Sequence, residues 1–339
     1  MSSIALKEWL NLPEDTRKNI FEQTAIYKNL PAQAIEKDWW VTFTLKLIFE
    51  MECAPAMVFK GGTSLSKGWG LIERFSEDID LALDKEHLGF TNNNPSKKEV
   101  NQLRRLSYNY ITTKFTPELQ AKFNDAGLTG VTVKHQEVVN HDQDPLIVEI
   151  YYPKLTEPET YLKPGLLVEV GSRSLKEPYT VREFGTMVAE SFPAQPFADK
   201  PIAVPVVNPE RTFLEKIFLL HEEFQRAQDV KRIERLSRHL YDIEKLMDTE
   251  FAEKALHDRE LYQTIVSYRS IFTKFGGIDY ASHNPKTLKF IPPAGQLPLW
   301  EADYRQMQES MIYGNTLPFK QLIDRLTVLQ ERINSIIWK

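Results

Sequence analysis

Cysteine is almost absent: Cys53 is the only one in 339 residues. One thiol cannot close an intramolecular disulfide or build a cysteine-rich zinc site, and its default role is a buried free thiol. The seven histidines, His87, His135, His141, His221, His239, His257 and His283, show no metal-ligand spacing on a shared helix face. No run of apolar residues approaches the eighteen or so needed to cross a bilayer, and the start of the chain shows no basic stretch followed by an apolar one. A soluble cytoplasmic protein is expected. Neither sign of charge dominates, with 42 Lys and Arg against 47 Asp and Glu and a net charge of −5, which excludes a blanket electrostatic grip on nucleic acid but not a local basic patch. Glycine is scarce at 14 residues, so collagen-like and linker-dominated architectures are excluded. No Walker A lysine element and no G-x-S-x-G elbow occurs.

What is present is an ordinary globular composition, 42% apolar and 26% charged, long enough for about two domains. Residues 1–52 read as helical, with a strong apolar face opening at Ile35-Glu36-Lys37-Asp38-Trp39-Trp40-Val41. Met57-Val58-Phe59 suits a buried strand, and Ile79-Leu83 alternates as a second. Residues 98–124 return to helical spacing. Three further strand-like runs follow at Val131–Val133, Leu146–Tyr152 and Leu166–Val170. Residues 176–207 carry Pro178, Pro193, Pro196, Pro201 and Pro205 and read as an extended connector. From Pro209 the pattern is helical almost to the end, with a loop near 276–298. The expected organisation is α+β: an N-terminal helical region over 1–52, a mixed core over 53–207 and a C-terminal helical domain over 208–339.

The chemistry concentrates in two stretches. Gly61-Gly62-Thr63-Ser64, with Lys67 closing the run, follows a strand and opens a helix; such a start exposes unpaired N–H groups that favour phosphate. The second stretch is Ser76-Glu77-Asp78-Ile79-Asp80-Leu81. Residues two apart in a strand share a face, so Asp78 and Asp80 sit side by side and repel unless a cation lies between them. An oxygen-only pair of this kind suits Mg²⁺, which completes its shell with water and phosphate oxygens. Two-metal transfer calls for a third carboxylate on a neighbouring strand. Glu169, followed by Gly171, Ser172, Arg173 and Ser174, is the preferred candidate, and Glu149 is its rival.

Farther along, Asn208-Pro209 marks a helix start. Lys216 then lies beside an apolar stripe of Phe213, Ile217, Leu220 and Phe224, either snorkelling or reaching triphosphate oxygens. The next helix carries Arg235, His239 and Asp242 along a stripe beside its apolar face of Ile233, Leu236, Leu240, Ile243 and Met247. Asp242 is a nucleotide contact or a partner of Arg238. A locally basic helix with Lys97, Lys98, Arg104, Arg105 and Lys114 interleaves Tyr108 and Tyr110; it reads first as a solvated face and second as an RNA contact.

Gly61-Gly62-Thr63-Ser64-Leu65 through Arg74-Phe75-Ser76-Glu77-Asp78-Ile79-Asp80-Leu81 resembles the signature of the AbiEii/AbiGii toxin family, nucleotidyltransferases with a DNA polymerase β-like core. The Ile35–Val41 stretch and the helix Asn208–Lys216 resemble family elements too, and the likeness covers about residues 30–250. His239 departs from an acid that the family often shows, whereas Asp242 matches the second acid of that element. The resemblance implies Asp78, Asp80 and Glu169 as ligands of two Mg²⁺ ions and an NTP substrate bound by Gly61, Gly62, Thr63, Ser64, Lys67, Lys216 and Asp242. Lys216 would offset charge on the departing pyrophosphate. It further implies an acceptor hydroxyl on a tRNA 3′ end or a protein, and a cognate antitoxin. A kinase-like phosphotransferase using the same metals, and a non-catalytic nucleotide-binding module, are the competing expectations.

Overall fold

A computed structural model describes residues 4–139, 143–157, 165–173, 178–226, 233–273 and 275–338. His141 and Ser174 lie outside the described residues. The chain divides into two compact units, 1–69 with 75–207 and 70–74 with 208–339.

The first unit begins with three helices, α1 (Ile4–Asn11), α2 (Glu14–Lys28) and α3 (Ala32–Ile48). Helix α3 is buried along almost its whole length, including Glu36, Lys37 and Asp38, and packs on the sheet. Strand β1 (Met57–Lys60) runs straight into a helical turn, α4 (Gly61–Thr63), prolonged as a π turn over Ser64–Gly68. Then come β2 (Asp78–Leu83), α5 (Lys97–Tyr110), α6 (Thr116–Asp125), β3 (Thr132–His135), β4 (Leu146–Tyr151) and β5 (Leu166–Gly171). Ser96 and Glu99 close a reciprocal capping box at the start of α5.

Residues 176–207 are not a connector. They contain β6 (Tyr179–Phe184), α7 (Met187–Ser191) and β7 (Ile202–Val207), and both strands join the sheet. Proline density argued against a strand because proline donates no ladder hydrogen bond. Strand β7 carries Pro205 within its ladder with β6, opposite Val181, and its register with β1 is the single pair Phe59↔Val206.

The seven strands lie in the order β3-β4-β5-β2-β1-β7-β6. The β2–β5 and β1–β7 pairs are parallel and the others antiparallel. In β2, β4 and β5 alternate residues differ sharply in burial. Ile79, Leu81, Val168 and Val170 are fully buried on one face. The opposite face is half-buried, and the acidic residues stand there.

The second unit is helical: α8 (Pro209–Gln225), α9 (Ser237–Leu246), α10 (Glu250–His257), α11 (Arg259–Phe272), α12 (Leu297–Ser310) and α13 (Phe319–Asn334). Phe213, Ile217 and Leu220 of α8 are buried as the stripe predicts, with Phe224 half-buried and edge-on to Trp300 at 5.6 Å. In α9 Leu240 and Ile243 are buried, as is Met247 just after it, while Ile233 and Leu236 precede the helix and are half-buried. Residues 70–74 belong here: Glu73 O accepts hydrogen bonds from the N–H groups of Tyr313 at 3.0 Å and Gly314 at 3.3 Å. No helix among the described residues is long and apolar enough to cross a membrane.

Candidate active site

Strand register assembles the acidic face of the first unit. Asp80 of β2 is paired with Glu169 of β5, and Asp78 with Leu167. Paired residues project to the same side, so Asp78, Asp80 and Glu169 share one face, with Glu169 one strand spacing, roughly 4.8 Å, from Asp80. Glu149 is paired with Leu167 from β4 and therefore stands two strands from Asp78, roughly 10 Å. Its carboxylate accepts a hydrogen bond from the Tyr151 hydroxyl at 2.7 Å. On the other side of β2, Lys60 is Asp80's partner on β1, which makes Lys60, Asp80 and Glu169 one row across three strands. Sequence reasoning assigned Lys60 no role. The signal for it was its place immediately before the glycines.

The Gly-Gly turn closes against this row. Gly61 has φ +81°, a left-handed conformation that glycine adopts without steric cost. A Cβ built there would lie 1.9 Å from Asp80 Oδ2, so the absent side chain is what lets the carboxylate approach the turn. Thr63 Oγ1 donates to the Asp78 carbonyl at 2.5 Å and ties the turn to β2. Ser64 is fully buried and its hydroxyl donates to Gly61 O at 2.9 Å, so it serves the turn itself. Lys67 forms an ion pair with Asp38 and donates to Gly185 O at 3.0 Å.

Beyond β5, Asp144 accepts from Ser172 N at 3.0 Å and from Arg173 Nε at 2.7 Å, so the cation after Glu169 is already engaged. Among the described residues, no group of three or more His, Cys, Asp or Glu already encloses one point as a metal cage would. The donor chemistry nevertheless fits a hard divalent cation. Three carboxylates share a face, and a glycine leaves open the space beside one of them.

Lys216 and Asp242 belong to the second unit. Asp242 is fully buried and receives a two-pronged pair from Arg74, Nε to Oδ1 at 2.7 Å and Nη2 to Oδ2 at 2.8 Å. Lys216 Nζ approaches Asp242 Oδ2 at 2.8 Å. Burial alone would raise the Asp242 carboxyl, but the two cations beside it hold it well below the usual range. Burial and the neighbouring Arg74 push Lys216 down against the pull of Asp242. One carboxylate thus serves two cations. His239, half-buried on the same helix, is held well below its usual value by burial and by the charges of Lys216 and Arg238.

Arg74 was the residue to find from sequence. The spacing offered Arg238 as a partner for Asp242, whereas the carboxylate is held by Arg74 and Lys216. In the basic stretch of α5, Tyr110 packs edge-on to His87 at 5.1 Å and Tyr108 edge-on to His135 at 6.5 Å, so both rings already have protein partners. Cys53 is buried and free, and burial pushes its thiol up.

Residues 47–325 match the family model of the AbiEii nucleotidyl transferase toxin of type IV toxin–antitoxin systems, which extends well past residue 250, where the sequence motifs end. No curated protein matches significantly. Among solved structures, MenT4, a nucleotidyltransferase toxin from Mycobacterium tuberculosis H37Rv, is similar with a TM-score of 0.51 and 15% identity, over 95% of this chain and 99% of that one. JHP933 from Helicobacter pylori aligns over 90% of this chain and 93% of that one at 16% identity and a TM-score of 0.43. The first of these shows a shared fold. With the family match spanning most of its length, the chain belongs to the AbiEii nucleotidyltransferase toxins of type IV toxin–antitoxin systems.

Proposed function

We propose that the acidic face of the first unit transfers a nucleoside monophosphate from an NTP to an acceptor hydroxyl, on a tRNA 3′ end or on a protein, in a reaction that depends on Mg²⁺. The observation that carries the reading is the row in which Asp80 stands beside Glu169 and against the open side of Gly61. Asp78, Asp80 and Glu169 would hold two divalent ions, which when bound polarise the phosphoryl oxygens and lower the pKa of the attacking hydroxyl. Glu169 is preferred to Glu149 because it is one strand from Asp80, whereas Glu149 is engaged by Tyr151.

The chain's own groups do the rest. The turn Gly61–Gly62–Thr63 opens a helical segment, and a helix start of this kind offers N–H groups that suit phosphate oxygens, while Lys60 adds a positive charge to the same face. Ser64 and Lys67 keep the turn in shape and are given no direct contact with nucleotide. The carboxylate reading stands on the first unit alone; Lys216 and Asp242 are given a structural role in the second. A cognate antitoxin is the expected partner of a toxin of this family.

The test is transfer from α- and γ-labelled NTPs, each in turn, to total RNA and to a protein lysate in the presence of Mg²⁺. Label from the α position alone supports nucleotidyl transfer and names the acceptor. Label from the γ position alone would replace it with a kinase-like phosphotransferase. No transfer, with NTP binding retained, would leave a binding module.

A further inference from the structure

Glu36, Lys37 and Asp38 are three consecutive charged residues in the middle of α3, and each is at least 98% buried. Successive helical residues point about 100° apart, so each reaches a different neighbour. Burying three charges in a row is costly unless each is partnered. Each is. Glu36 accepts from Leu155 N at 2.8 Å, Thr156 N at 3.0 Å and the Thr156 hydroxyl at 2.5 Å. Lys37 Nζ donates to Glu77 Oε2 at 2.5 Å, a pair in which both side chains are 1% exposed. Asp38 holds Lys67 through one oxygen and accepts from Met187 N at 2.8 Å through the other.

Two of these contacts end on the two halves of the acidic site. Glu77 immediately precedes Asp78, the first residue of β2. Lys67 lies in the π turn that continues the Gly61–Thr63 helix. Between the halves, direct connection includes the hydrogen bond from Thr63 Oγ1 to Asp78 O and the ladder of β1 with β2. We infer that Lys37 and Asp38 are positioning residues for metal and nucleotide: from one rigid helix, Lys37 fixes the start of β2 through Glu77, and Asp38 fixes the glycine turn through Lys67. The inference rests on the carboxylate reading of the site. Adjacent positions on one helix set the spacing of both anchors at once, so loosening either ion pair removes one of the constraints that keep Asp78 and the turn in register.

The experiment neutralises both members of each ion pair at once. Lys37→Met with Glu77→Gln, and separately Asp38→Asn with Lys67→Met, keep side-chain shape. Replacing a buried pair by groups of similar volume is often near neutral for stability. Thermal unfolding establishes folding. Mn²⁺ binding, read by electron paramagnetic resonance, and the KM for NTP then separate positioning from mere support.

The first pair is expected to weaken Mn²⁺ binding about tenfold or more. The second is expected to raise the KM for NTP about tenfold with a smaller change in Mn²⁺ binding. Folded variants with wild-type Mn²⁺ affinity and wild-type KM would overturn the inference. Should both pairs fail to fold, Glu77→Asp decides the matter: it keeps the charge but shortens the reach by one methylene, and wild-type Mn²⁺ binding there would also overturn it. Wild-type protein that binds no Mn²⁺ removable by Asp80→Ala would instead defeat the carboxylate reading itself, so the two failures are distinguishable.

Discussion

Gly61→Ala separates a glycine kept for chain geometry from one kept for the site. The new methyl meets two penalties. At φ +81° an alanine costs about 1–2 kcal/mol relative to glycine. That corresponds to a fall in Tm of about 2–8 °C for a unit of this size. The second penalty falls on Asp80, whose Oδ2 would lie 1.9 Å from the added Cβ. Ordinary van der Waals contact begins near 3.4 Å, so the carboxylate must retreat by roughly 1.5 Å.

A side chain with no chemical duty would move aside without effect on the rate. A metal-holding carboxylate displaced by more than about 1 Å loses on the order of 10²-fold in rate, equivalent to about 2.7 kcal/mol of barrier. The assay is initial-rate nucleotide transfer at a temperature where the variant is fully folded by circular dichroism. A folded Gly61→Ala protein with the wild-type rate would refute the placement of Asp80 in the reaction.

Three further outcomes follow from the same geometry. Glu169→Gln should lower the transfer rate by at least about 10²-fold and Glu149→Gln by less than about twofold, because Glu149 stands two strands from Asp78; equal losses in the two rates would contradict the register argument. Asp242→Asn removes the carboxylate that the buried Arg74 and Lys216 share, and should cost about 3–5 kcal/mol, seen as a Tm lower by about 10 °C or more. Lys216→Met removes only the surplus cation and should hold Tm within a few degrees. His221, buried and bonded to Lys289 and Ser282, has its imidazole pushed down to about 4 by burial. The unfolded chain binds that proton near pH 6.5 and the folded one only near pH 4, so stability is full above pH 6.5 and falls as pH drops through that window. The loss reaches up to about 3 kcal/mol, and urea titrations should show it gone in His221→Gln.

The motifs of the proposed site are legible in the sequence because they are local. Asp78-x-Asp80 needs only the two-residue period of a strand, and the glycines need only a strand followed by a helix. The sequence already preferred Glu169 to Glu149; register adds that Glu169 is the direct neighbour of Asp80, which depends on which strands are adjacent rather than on any local pattern. The strands within 176–207 were hidden because five prolines mimic a connector, although Pro205 itself stands in β7 opposite Val181 of β6. The partners of Glu36, Lys37 and Asp38 lie from 29 to 149 residues away along the chain. Nothing in the local spacing names partners so distant. The same holds for Asp242, whose partner Arg74 is 168 residues distant.

The most direct measurement is the rate of α-labelled nucleotide transfer as a function of Mg²⁺ concentration, in wild-type protein and in Asp80→Asn, with folding of the variant checked in parallel. Transfer that rises with Mg²⁺, stops with a chelator and falls at least about 10³-fold in folded Asp80→Asn is the expected result. Undiminished transfer in that variant, or transfer indifferent to the chelator, would contradict a carboxylate-held metal at this face.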